Sequence, residues 1–162
     1  MSDYYGQGSP YPPPGGPPVD DESRVNAGRL WAGGFGAAVV AALVIVVGIL
    51  LIRGVFGIPV LSPESAGAYG TANTTNYALA GAAAALLATA ALHILLLFMP
   101  SPMTFFYWIG TLLTAVAVLV PFTFAADTAP RIATAILNLI VGFSIVTVLG
   151  SVAAGSVRYP RG

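Results

Sequence analysis

Residues Tyr77 to Met99, YALAGAAAALLATAALHILLLFM, run for 23 residues without a formal charge. A helix rises about 1.5 Å per residue, so such a stretch reaches roughly 35 Å, enough to cross a hydrocarbon core of about 30 Å. Inside that core a lone segment satisfies its backbone only as a helix. Lipid gives apolar helices no hydrophobic reason to associate, so close backbone packing has to hold them together. The small residues of this stretch allow it. Gly81, Ala85, Thr89 and His93 recur every four residues as one packing stripe, with Ala80, Ala84 and Ala88 beside it. Neighbouring helices are expected to dock on these rows, and Leu79, Leu86 and Leu95 to Leu97 to meet lipid.

Three more segments share this character. The predicted spans are about 30–52, 77–99, 103–126 and 132–154, within a domain over 24–162. Only 7% of residues are charged and the mean hydropathy is +0.86, which excludes an ordinary soluble surface. The expected fold is all-α, an antiparallel bundle of four transmembrane helices behind a disordered Pro/Gly/Tyr-rich tail. In the first span Gly33, Ala37 and Ala41 form one small-residue row and Gly34, Ala38 and Ala42 the next; Trp31 stands as an interfacial aromatic. In the third, Phe105, Phe106, Tyr107 and Trp108 read as an interface belt. The fourth carries Asn138, with Gly142 one turn later as a further packing position.

The connections follow from turn chemistry. Residues 1–23 hold repeated prolines and glycines and no apolar period, so they read as a disordered cytoplasmic tail without a signal-peptide core. Tyr4, Tyr5 and Tyr11 could anchor that tail in an aromatic-lined groove of a cytoplasmic partner; the simpler reading is a solvated leader. VFGIPVL after Arg53 is too short to span and lies at the interface or folds back on the bundle. Asn73-Thr74-Thr75 matches a glycosylation sequon, to which no role is assigned. Ser101 is the expected N-cap of the third helix with Pro102 at its first position, and Asp127 or Thr128 that of the fourth. Arginines near the span ends place both termini in the cytoplasm: Arg24, Arg29, Arg158 and Arg161 stand against Arg53 and Arg131.

From Arg53 onward the chain resembles a family of small four-helix actinobacterial membrane proteins classed as a domain of unknown function. The resemblance rests on the order of its pieces. These are Arg53-Gly54, Gly57-Ile58-Pro59-Val60-Leu61, Pro63, Ala88 to His93, Pro100, Pro102, Phe105, Trp108, Pro121-Phe122, and Asn138 with Gly142. It implies a four-helix membrane domain over roughly 29–158 and no reaction.

Polar residues inside a membrane are functional suspects by default. His93, the only histidine, could accept protons or gate, since its ordinary pKa is near neutrality. The plainer expectation is a neutral imidazole joining two helices through Thr111, Ser144 or Thr147. Asn138 should not meet His93, because the two lie at different depths. It is expected to bond within its own helix or to Thr123. The alternative is donation to the carbonyl of Ala117, which Pro121 cannot reach because it has no amide hydrogen.

The chain contains no cysteine, which excludes disulfides and thiolate chemistry. Its only carboxylates after the tail, Glu64 and Asp127, fall in loops, so no paired acid and base is available within the spans. No catalytic residue, metal ligand or cofactor site is expected, and the scattered arginines point away from nucleic acid. The leading expectation is a non-catalytic accessory, scaffold or envelope component in contact with membrane lipid and with a membrane-protein partner or further copies of itself. The alternative is a subunit of a small homo-oligomeric channel or transporter, lined by Thr111 and Thr114.

Overall fold

The computed structural model describes residues 26–61, 73–123 and 126–156. The tail at 1–23, the sequon-free part of the long connection at 62–72 and the last two arginines lie outside them. Four helices make up the described chain: α1 Ala27–Leu50, α2 Thr74–Phe98, α3 Pro102–Leu119 and α4 Thr128–Ser156. α1 runs on into a π turn, Leu51–Val55, and α3 into a 3-10 turn, Val120–Thr123. All four are long and apolar enough to cross a membrane.

Side chains and backbone share the work of starting them. Asn26 Oδ1 accepts from the Arg29 amide at 3.1 Å, and Asn73 Oδ1 from the Thr75 amide at 3.0 Å. Each satisfies an amide that the first helical turn leaves without a partner. The Asn73-Thr74-Thr75 triplet therefore acts here as a helix start. Ser101 occupies the cap position of α3 with Pro102 behind it, but its hydroxyl makes no capping bond; its carbonyl accepts the first helical bond, from Phe105 N, as those of Asn26 and Asn73 do from Leu30 and Tyr77. α3 ends as a helix at Leu119, earlier than the span expected to Ala126, because Pro121 has no hydrogen to continue the ladder.

α1 closes differently. Gly57, at φ +65°, takes the left-handed conformation that a side chain would oppose. The Ile58 amide reaches back to the Ile52 carbonyl at 3.1 Å, one residue further than in a Schellman closure. This turn sends Val60 and Leu61 back onto the bundle, where both are buried. The Leu61 amide donates to Thr134 Oγ1 at 3.0 Å, and that hydroxyl donates to the Pro130 carbonyl at 2.8 Å. VFGIPVL is thus a strap that ties the end of α1 to the start of α4.

Glycine positions show how the helices pair. Gly34 of α1 faces Thr89 of α2, while Gly81 of α2 faces Ile45 of α1. As numbers rise on one helix they fall on the other, so the two are antiparallel. Gly33 against Val152 and Gly48 against Leu137 set α1 antiparallel to α4. Gly110 against Val146 and Gly150 against Tyr107 do the same for α3 and α4. With the short Pro100-Ser101 turn between α2 and α3, the helices form a square in which α2 and α3 touch least of the four neighbouring pairs.

The core is built from rows spaced by four. Ala37, Ala41, Ile45 and Ile49 of α1, Gly81, Ala85 and Thr89 of α2, and Leu137, Val141, Ile145, Leu149 and Ala153 of α4 are all buried. α3 buries one residue, Phe106, at 4% exposure. Phe106 is thus a packing residue, whereas Phe105, Tyr107 and Trp108 remain exposed. Leu86, Leu95 and Leu96 also depart from their expected lipid contact, since they pack against the core; Leu79 and Leu97 stay outward.

Gly34 and Gly36 offer a matched test. A Cβ on Gly34 would lie 2.4 Å from Thr89 Cγ2, whereas one on Gly36 meets nothing within 4 Å. Gly34→Ala should destabilise the folded protein in detergent by about 1–3 kcal/mol, the range for overpacking. Gly36→Ala should leave thermal stability unchanged or raise it. Equal melting temperatures for the two variants would show that α1 and α2 do not meet at Gly34.

Candidate functional site

The loose side of the square encloses a half-open cavity of about 420 Å³ between α2, α3 and α4. Ala80, Ala84, Ala88 and Ala91 form its α2 wall. Phe106, Ile109, Gly110, Leu113 and Thr114 line the α3 side, and Val141, Gly142 and Ile145 the α4 side. The two alanine rows of α2 therefore divide. Gly81, Ala85 and Thr89 turn inward, and Gly81 and Thr89 meet α1 directly. The row beside them faces this open groove.

Polar atoms gather at the end of the groove where α2 begins. Asn138 Nδ2 donates to the Ala117 carbonyl at 2.7 Å. Asn138 Oδ1 accepts the hydroxyl hydrogen of Tyr77. One amide thus joins α2, α3 and α4. Its position bears out the reading of donation to Ala117 and corrects that of a bond within α4 or to Thr123: the Thr123 hydroxyl donates instead to the Val120 carbonyl at 2.8 Å. The cause is Pro121, itself buried, which leaves Ala117 with a carbonyl that no helical amide can reach. In an apolar interior an unpaired carbonyl costs about 1–3 kcal/mol, so a donor from the next helix is strongly favoured.

Tyr77 is the participant that sequence reading passed over. The available signal was an aromatic hydroxyl close to the start of a helix otherwise made of alanine and leucine. Pairing it with Asn138, 61 residues away, requires the packing of α2 beside α4.

The other singled-out residues fall as follows. Gly33 lies against Val152, Ala37 and Ala41 are buried, and Gly142 lies against Thr114. Thr89 Oγ1 donates to Ala85 O at 2.8 Å and Thr114 Oγ1 to Gly110 O at 2.7 Å. Thr111 is exposed, so the two threonines of α3 do not face one space. His93 is half-buried, and its Nδ1 has no hydrogen-bond partner. Thr147 donates to the carbonyls of Phe143 and Ser144 rather than to His93. Asn138 bonds to Tyr77 and Ala117, and no bond joins it to His93 among the described residues.

A second cavity, about 460 Å³, lies between the end of α1 and the start of α4. Ile52, Phe56, Ile58, Ile132 and Ile136 line it, with no polar side chain converging on it. Among the described residues no group of three or more histidine, aspartate or glutamate side chains could hold a metal ion.

The sequence of residues 25–155 matches a family described as a family of unknown function, DUF6069. The chain belongs to that family. The DUF6069 match takes in α2 and α3 whole, the joining amide of Asn138, and the strap after α1. No curated protein and no solved structure matches the chain. For this DUF6069 protein, function has to be read from the geometry.

Pro121 and Asn138 should be energetically coupled. Asn138→Leu removes the donor to Ala117 and the acceptor of Tyr77, and should cost about 1–3 kcal/mol in detergent-solubilised protein. Pro121→Ala restores an amide four residues after Ala117, so adding it should recover part of that loss. Strictly additive effects in the double-mutant cycle would mean that the two residues do not share the Ala117 carbonyl.

Proposed function

We propose that this protein is a non-catalytic integral membrane component, an accessory or scaffold subunit that works by packing beside other membrane proteins. The observation that carries this reading is how its buried hydroxyl and amide side chains are used. Tyr77 and Asn138 join three helices, and Thr89, Thr114 and Thr134 each donate to a carbonyl one turn earlier in their own helix. These groups are committed to architecture. Reaction chemistry needs an acid, base or nucleophile held within reach of a reacting atom.

The protein resides in the cell membrane with both termini in the cytoplasm, supported by the four-to-two distribution of arginines near the helix ends. An actinobacterial source is inferred from the resemblance of its motifs, alongside an alanine-rich chain whose six basic residues are all arginine.

Because the chain has no cysteine, single introduced ones report orientation cleanly. In intact cells Asp127→Cys should react with a membrane-impermeant maleimide, and Ser101→Cys only after permeabilisation. The reverse pattern would invert the topology. Crosslinking in native membranes should recover a stable complex with a different membrane protein. Solute flux through purified protein in liposomes, abolished by His93→Ala, would replace the accessory reading with transport.

A further inference from the structure

We propose that the groove between α2 and α3 holds one ester-linked acyl chain of a membrane phospholipid, with the ester at the Tyr77–Asn138 end.

The dimensions select the occupant. Along α2 the lining residues run from Tyr77 to Leu95, about 27 Å of helix at 1.5 Å per residue. The whole empty space of the groove, its open mouth included, is about 1360 Å³. A helix about 10 Å across would fill roughly 2,100 Å³ over that length, so a second copy of this chain or a partner helix does not enter it whole, while a single hydrocarbon chain can lie along it.

The walls agree with the dimensions. Ala80, Ala84, Ala88 and Ala91 present methyl groups in a row, and no bulkier side chain of α2 lines the groove between Tyr77 and Leu95, so it stays open along that wall. Ala80 and Ala84 are exposed to it, as is Leu113 opposite, which gives a chain a sideways entrance from the bilayer.

Polarity is confined to one end, as in a lipid. Tyr77 sits in the first turn of α2, near the level where a bilayer passes from hydrocarbon to ester groups. The Asn138 amide has two N–H donors, and one goes to Ala117. The second has no partner among the described residues and is available to an ester carbonyl. The Tyr77 oxygen, having given its hydrogen to Asn138, holds the amide in the orientation that presents it.

The test uses full-length protein reconstituted with a phosphatidylcholine carrying a diazirine in one acyl chain, and native mass spectrometry after detergent extraction. Wild type should retain one phospholipid, and photolabel should map to the Ala80–Ala91 face and to α3. Ala84→Leu and Ala80→Leu, each checked for folding by its melt, should lower retention and groove labelling at least five-fold. Leu87→Ala, on the exposed face of α2, should leave both unchanged. A dialkyl ether analogue, which lacks the ester carbonyl, should be retained at least three-fold less. Full retention by a folded Ala84→Leu variant would overturn the proposal. So would label spread equally over the outer face of α1, crosslinking between two copies through the groove, or equal retention of the ether analogue.

Discussion

Helices in lipid gain little from hiding apolar surface from one another, so this bundle depends on how closely backbones can approach. The contact of α1 with α2 is where that matters most. Gly34 receives Thr89, Gly81 receives Ile45, and a β-carbon at either glycine would overlap its neighbour. Dispersion between well-fitted atoms is weak per pair and adds up only when the fit is continuous. The same logic extends to α4, where Gly33 and Gly48 accept Val152 and Leu137. α1 is therefore the axis of the bundle, with both of its neighbours keyed into it.

α3 belongs to the structure on different terms. With one buried side chain it packs chiefly against α4, at Tyr107, Gly110 and Thr114, and its far end is secured by the amide of Asn138. Pro121 makes this possible by ending the helical ladder and leaving one carbonyl for another helix. A residue that weakens α3 as a helix thereby strengthens it as a member of the bundle. The open side between α2 and α3 is the consequence of packing α3 along its length against α4 while it stands off α2.

The small-residue rows were readable because a spacing of four maps directly onto one helix face. Gly81, Ala85 and Thr89 needed no knowledge of partners to be grouped. Which of two adjacent rows would be buried did need it, and the Ala80 row faces the groove because α3 stands off. Pro121 identifies its own orphan carbonyl by stereochemistry and Asn138, at matching depth, as a donor for it; which of the bonds open to Asn138 would form depends on the rotation of α4, which no local pattern records. Tyr77 went unnoticed for the same reason. Phe106 was misgrouped since four consecutive aromatics at a helix start cannot all face one way; one of them must point inward. Ser101 is the cap by position and residue type, yet its hydroxyl bonds to no amide of the first turn.

The strap after α1 has an effect on charge. Ala37, Ala41, Ile45 and Ile49 step along one buried face, and the next position in that series is Arg53. Arg53 is exposed. Beyond it the left-handed Gly57 turns the chain, and Val60 and Leu61 are the next buried apolar residues. The apolar row is thus carried on by a returning segment of chain, while the cation is left on the outside.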